Sequence, residues 1–281
     1  MALAQHMVGR SLGDRVILGA VVALAALWIA PVAWVVIVSF KPNSELMMST
    51  ASALHPPYTL KNYTDVAATS GVFHWFLNSI IVAGGATTAT LILASLAGYG
   101  FARTDFPFRN VLFVLVLLGL AVPEQALIIA RHQLFTDWKL HNTYIALILP
   151  GLSNAFGVFL MTQYFRSIPK DIDEAAMLDN ASRFKIFWRV LLPLTIPAQA
   201  TLGIFTFLTY WNDYLWPLIS ATRPEMFTLT VGIASTQTNF AQSEGLGFLM
   251  AQAVFAGLPV FIVYLFFQRY IVQAVAGAAI R

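Results

Sequence analysis

Long apolar stretches alternate along this chain with short segments that collect charge and hydrogen-bonding side chains, and the alternation predicts helices that cross a membrane. Residues 16–38 run 23 positions without a charge, enough to cross about 30 Å of hydrocarbon at about 1.5 Å per residue. Five more such stretches fall at 77–101, 110–131, 143–165, 194–219 and 246–270. Lipid offers the backbone no partners, so each stretch must close its own hydrogen bonds as a helix. The expectation is an all-α, polytopic membrane protein with six transmembrane helices, forming a single domain over 1–281. Arg10 and Arg15 precede the first stretch and Ala23-Leu24-Ala25 resembles a cleavage site, but the apolar run continues well past it. A retained first helix is expected.

Composition supports this picture. The chain is 58% hydrophobic and 10% charged, whereas a water-facing surface needs far more charge. Six crossings put both termini on one side, and the lysines and arginines choose which. With cytoplasmic termini, eleven of the 16 basic residues lie inside and five outside, as the positive-inside bias requires. Residues 167–193 are then cytoplasmic and residues 220–245 external. The formal charge of +3 follows from that bias, so no nucleic-acid partner is indicated. Cysteine is absent and His132 and His141 lack ligand-like spacing to a further ligand, so no metal site is expected. None of the five lysines follows a glycine. A phosphate-binding loop of the usual G-x-x-x-x-G-K pattern is therefore absent, and no cofactor is expected in this chain.

The second stretch carries Gly84, Gly85, Ala86, Ala89, Ala94, Ser95, Ala97, Gly98 and Gly100. Small residues let helices approach closely where lipid gives no hydrophobic drive, so an inter-helix face is favoured over a pore face. Pro123 and Pro259 each remove a backbone donor and predict kinks. The segment 41–76, with Pro56-Pro57, Tyr58, Tyr63, Phe73 and Trp75, suits a packed external segment, and 220–245, rich in Thr, Ser, Gln and Asn, reads as a polar loop.

Residues 167–193 predict two short helices. Pro169 starts the first, Asn180 marks the turn, Ser182 caps the second and Pro193 limits its end. Phe184, Phe187, Trp188 and Leu191 follow helical spacing and predict one apolar stripe, with Lys185 and Arg189 on a flank. Such a stretch can lie on lipid headgroups or dock in a groove of a soluble partner. The run Glu174-Ala175-Ala176-Met177-Leu178-Asp179-Asn180-Ala181-Ser182, followed by Phe187 and Leu192-Pro193, resembles the cytoplasmic coupling loop of ABC importer permeases. Asn180 stands where that family usually has Gly, and Asn is the other residue that reaches a left-handed backbone cheaply.

The resemblance extends along the chain through Ser39-Phe40-Lys41, Asn78-Ser79, Ala97-Gly98-Tyr99 with Arg103, Trp211-Asn212-Asp213-Tyr214-Leu215-Trp216-Pro217 and Gln268-Arg269-Tyr270. These are similar to the carbohydrate-importer branch, above all to the second permease subunit of maltose-type systems. It implies a type I importer transmembrane domain in a bacterial or archaeal inner membrane. It also implies a second, different permease subunit, an ATPase dimer that binds ATP and Mg, an extracellular solute-binding protein and a sugar cargo. Coupling to the ATPase would then fall to Glu174, Ala175, Ala176, Asp179, Asn180, Ala181, Phe184 and Phe187.

A sugar path through a bilayer needs aromatic faces and uncharged or paired polar groups. Tyr210, Trp211, Asn212 and Asp213 close the fifth stretch, Glu124 and Gln125 follow Pro123 in the third, and Asn154 and Gln252 lie in the fourth and sixth. Trp211 and Trp216 also suit interfacial anchors, and Asn154 and Gln252 suit helix–helix hydrogen bonding. A lipid-facing Glu124 would cost ~2.5–3.5 kcal/mol or more, so it should face protein or water. The rival function is an ion-coupled secondary transporter of a small polar solute, for which Glu124 and Asp213 are the relay candidates. No Ser–His–Asp or H-E-x-x-H constellation lies in a span, so an embedded enzyme is not expected.

Overall fold

A computed structural model describes residues 12–48, 53–68, 71–243 and 245–279. Arg10 and Arg281 of the charge count, and the side chains of Arg269 and Tyr270, lie outside the described residues. Every regular element among the described residues is helical. In chain order these are α1 (Leu12–Ser39), α2 (Asn43–Met48), α3 (Lys61–Ala68), α4 (Val72–Arg103), α5 (Arg109–Leu118), α6 (Ile128–Asp137), α7 (Tyr144–Ile148), α8 (Ala155–Ser167) and α9 (Asp171–Leu178). There follow α10 (Arg183–Leu194), α11 (Ile196–Asn212), α12 (Leu215–Ser220), α13 (Leu229–Ser243) and α14 (Gly245–Ala279).

Leu12–Ser39, Val72–Arg103 and Gly245–Gln268 are each long and apolar enough to cross a membrane alone. The three other expected spans are broken. Arg109–Ala121 and Glu124–Asp137 meet at 92°, Tyr144–Leu152 and Ala155–Ser167 at 49°, and Arg183–Leu194 and Ile196–Asn212 at 74°. Counting each bent pair once gives up to six crossings by length and composition. The spans expected at 110–131 and 143–165 are thus each present as a bent helix pair, and 194–219 is divided between α11 and α12. Pro123 does end a helix, through 3-10 turns at 119–121 and 124–127, whereas α14 continues through Pro259. The polar loop expected at 220–245 is largely helix α13.

The chain divides into two compact units. One comprises 71–235 and 256–281, the other 1–70 and 236–255. In the first, Ala94 of α4, Met161 and Phe165 of α8, Ile186, Phe187 and Leu191 of α10, and Ala198 and Leu202 of α11 form a common apolar core. The small residues of α4 divide between two roles. A Cβ at Gly98 would sit 2.7 Å from Met161 Cβ, and one at Gly85 2.9 Å from Ile148 Cδ1, while Gly84 and Gly100 face open space. Ala86 and Ala94 are buried, so part of the stripe is the close-packing face its composition predicts.

In the other unit the Ser39-Phe40-Lys41 motif has a structural basis. The fully buried Lys41 donates from Nζ to the carbonyls of His55, at 2.7 Å, and Pro57, at 3.0 Å. Asn62 Nδ2 donates to the carbonyls of Ser39 and Lys41. Asn43 Oδ1 accepts from the Gly247 amide at 2.8 Å, which satisfies an orphan donor at the start of α14. A buried ammonium is tolerated here because carbonyl oxygens replace its water.

Candidate functional site

The segment between α8 and α11 is built by local rules that its sequence states openly. Asp171, Asp173 and Glu174 all fall in the first turn of α9, where carboxylates offset the exposed N–H groups and the helix dipole. Asn180 ends the helix with φ 57°. The Asn180 amide donates to the Met177 carbonyl at 3.0 Å and the Ala181 amide to the Ala176 carbonyl at 3.1 Å. That is a Schellman closure, with Asn in the left-handed position where Gly is commonest. Ser182 then caps α10, its Oγ accepting from the Lys185 amide at 3.3 Å.

The single apolar stripe expected on α10 is corrected. Ile186–Leu191 is a π-helical stretch, whose i→i+5 hydrogen bonds shift the register of facing residues. Ile186, Phe187 and Leu191 are buried, but Phe184 is 72% and Trp188 43% exposed. Ala176 and Ala181 pack against the core while Ala175 faces out. The outward face therefore joins Glu174, Ala175, Met177, Leu178, Asp179, Phe184 and Trp188, with Leu178 85% exposed. Leu178 and Phe184 thus stand exposed on the outward side of the helix-turn-helix.

The same segment is tied to the end of α4 by a residue that sequence reasoning passed over. Asp173 is buried and its Oδ2 lies 3.2 Å from Arg103 Nη1. Arg103 Nη2 donates to the Ile168 carbonyl at 2.5 Å. Asp173 reads from sequence as one more acidic residue beside Glu174; the clue was an arginine closing a small-residue helix with no partner of its own. At the opposite end of α4, Asn78 Nδ2 donates to the carbonyls of Glu225 and Phe227, and its Oδ1 accepts from Tyr144. Ser79 Oγ accepts from the Leu229 amide and Trp75 Nε1 donates to the Pro224 carbonyl.

Two of the three helix-pair breaks carry expected polar candidates. Glu124 and Gln125 follow the first break, and Glu124 pairs with Arg131 at 3.0 Å. Asn154 sits at the second, capping α8 through the Gly157 amide at 2.7 Å. Asp213 follows α11, where its carboxylate accepts from the backbone of Leu215 and Trp216. Tyr210 fills the notch left by Gly151, since a Cβ there would overlap its hydroxyl. Glu124, Arg131, Tyr210 and Asp213 lie close enough to feel one another's charge. Asn212 bonds back to the Leu208 carbonyl. Gln252 belongs to the other unit, fully buried and donating to Thr236 at 3.2 Å.

The anchor reading of the tryptophans is corrected as well. Trp211 is buried, stacks on Phe207 at 5.7 Å and donates to the Ala256 carbonyl. Trp216 is buried, donates to the Ala146 carbonyl and lies under the Arg131 guanidinium at 5.2 Å. Both are packing residues. The His132 and His141 rings lie 4.8 Å apart, tilted by 43°, and no metal-ligand cluster occurs among the described residues.

Residues 90–277 match the family described as binding-protein-dependent transport system inner membrane component. The chain belongs to this family. It is therefore a permease component of a membrane transport system, and nothing in the match supports an ion-coupled secondary transporter. Among its relatives, it is similar to the arabinooligosaccharides transport system permease protein AraQ of Bacillus subtilis, at 34% identity over 92% of either chain. It is also similar to the diacetylchitobiose uptake system permease protein NgcG of Streptomyces coelicolor, at 33% identity over 92% of this chain and 87% of the relative. In fold it resembles a chain of a bacterial ABC transporter involved in the import of the acidic polysaccharide alginate. The TM-score is 0.82 at 24% identity, over 93% of this chain and 98% of the other.

Proposed function

We propose that this family member is one of two different permease subunits of an ATP-driven sugar importer, that 167–193 is its ATPase-docking element, and that an external solute-binding protein delivers the sugar. The observation that carries the docking reading is the outward face of α9 and α10. Leu178 and Phe184 are 85% and 72% exposed, with Met177 and Trp188 exposed beside them, on a segment whose Ile186, Phe187 and Leu191 are buried. A groove in a soluble subunit would take up such a face. Glu174 lies beside it and adds a charged hydrogen-bond acceptor. Both termini are then cytoplasmic, in the inner membrane of a bacterium or archaeon.

Relatives named for arabinooligosaccharide and diacetylchitobiose uptake support a sugar as cargo. Within the chain, Glu124, Gln125, Tyr210 and Asp213 suit the path best, because Glu124 and Gln125 follow the break at Pro123 and Tyr210 and Asp213 lie at the end of α11, and irregular backbone at membrane depth is tolerated only against protein or water. Asn154, Trp211 and Asn212 spend their polar groups on helix caps and packing and shape the path rather than touch cargo. Gln252 keeps a buried Oε1 without a hydrogen-bond partner and stays a candidate contact of the other unit. The segment 220–245 is assigned to contact with the solute-binding protein.

The test is co-purification of the ATPase subunits, with uptake at matched membrane expression, for Leu178→Asp, Ala175→Trp and Glu174→Ala. The first two should lose the ATPase and uptake together. Glu174→Ala should weaken docking by about 1.5–3 kcal/mol, as expected when a charged hydrogen-bond partner goes. ATPase retention and normal uptake in all three would defeat the docking reading. A panel of sugars offered to the solute-binding protein identifies the cargo class.

A further inference from the structure

We propose that Tyr99 and Arg103 form a two-point clamp through which α4 and residues 168–187 move as one body, making both positioning residues for transport; this rests on the reading of 167–193 as the ATPase-docking element. Tyr99 and Arg103 are four apart on α4 and so share one helix face. Each holds a different part of the docking segment. Arg103 bonds the Ile168 carbonyl, at the exit of α8, and pairs with Asp173 in the first turn of α9. Tyr99 donates its hydroxyl to the Arg183 carbonyl at the start of α10, at 3.3 Å, and its ring packs 5.0 Å from Phe187 and 5.9 Å from Phe165. The turn at Asn180 is closed onto α9 by two backbone bonds and followed at once by the Ser182 cap of α10, so the short connection leaves the two helices little room to swing apart without pulling on the clamp.

Stability alone does not account for the ion pair. The Arg103 and Asp173 side chains are 4% and 12% exposed, and two apolar side chains of similar volume commonly serve a buried site as well or better. Arg103 Nε and Asp173 Oδ1 are moreover buried without a hydrogen-bond partner. What the pair supplies is a link of fixed direction and register between two helices, the use for which buried ion pairs are best attested. A thrust on the exposed face of α9 is delivered through Asp173 to the last turn of α4. From there it enters the helix whose Gly98 and Ala94 pack against α8.

The experiment uses the complete transporter reconstituted in liposomes. Arg103→Met combined with Asp173→Leu removes both charges together and leaves no unpaired ion, so it is expected to fold and keep the ATPase subunits. Uptake per ATP hydrolysed should fall by about tenfold, within the usual span of coupling between two sites. Tyr99→Leu should shift the same ratio in the same direction. The chain has no cysteine, so Leu96→Cys on α4 and Lys170→Cys at the start of α9, outside the docking face, carry spin labels at defined sites in this chain. The parent should show one narrow label distance, unchanged on adding ATP; the double variant should show a broadened one.

Wild-type uptake per ATP together with a narrow distance in the double variant overturns the clamp. Loss of the ATPase from the double variant overturns it too, since the pair would then only shape the docking face. The docking reading fails separately, when Leu178→Asp in the otherwise native chain keeps both ATPase and uptake.

Discussion

The two ends of α4 hold their neighbours by different chemistry. The helix has 32 residues, so its ends stand about 48 Å apart at about 1.5 Å per residue. At one end Arg103 and Tyr99 grip 168–187 with a buried charge pair and a cluster of aromatic rings. At the other, Trp75, Asn78 and Ser79 grip 224–229 with neutral hydrogen bonds aimed at backbone groups. A charge pair fails as a unit when one partner is removed, whereas neutral bonds to backbone are lost singly. The first end is therefore expected to break abruptly and the second to loosen by degrees.

The largest expected effect tests the abrupt end. Asp173→Ala leaves the Arg103 guanidinium buried with only a carbonyl for company, and should cost about 3–5 kcal/mol, the usual penalty for halving a buried pair. Thermal unfolding of the purified complex in detergent measures it. A cost nearer that of an exposed pair, up to about 1 kcal/mol, would show that water reaches Arg103 and that the two ends do not differ in kind.

At the other end Asn78→Leu should cost about 1–3 kcal/mol, because it strands the Phe227 carbonyl and the Tyr144 hydroxyl and leaves the Glu225 carbonyl to His74 alone. Ser79→Ala removes only the acceptor of the Leu229 amide and should register in hydrogen exchange at Leu229 before it registers in stability. An Asn78→Leu loss as steep as that of Asp173→Ala would erase the contrast.

The same contrast explains what the sequence disclosed. Apolar length revealed the helices, and the residue types at Asn180 and Ser182 revealed the turn and cap, because those features depend on near neighbours alone. The 92° break at 119–127 was visible only as Pro123, since its sharpness depends on packing. The sharing of Ile186, Phe187 and Leu191 with the core was hidden by the π-helical stretch, which alters the very period by which a stripe is recognised. The partners of Asn78 and Asp173 were hidden for another reason: they lie at 144 and 225–227 and at 103, and no periodicity links positions so far apart in the chain. Candidate path residues were found by polarity, but which of them were already committed to caps and carbonyls took coordinates to decide.

Smaller effects are expected within the proposed docking segment. Ser182→Ala should cost about 1 kcal/mol, as loss of a cap acceptor typically does, and at 3.3 Å the bond is long enough to put the value at or below that figure. Asn180→Gly should be smaller still. The position has φ 57°, where Gly pays no steric cost and Asn only a modest one. The closure to Ala176 and Met177 uses backbone amides alone, so it survives the change. Opposing this, Gly gives the unfolded chain more freedom to lose, worth about 0.4–1 kcal/mol. The two effects oppose each other, and stability and uptake should both stay near the parent values. Asn180→Val serves as the control, since a β-branched residue in this backbone region is a genuine outlier and should unseat the turn. If Asn180→Gly abolishes uptake while stability holds, the Asn side chain touches a partner, and the turn is part of the docking face rather than its hinge.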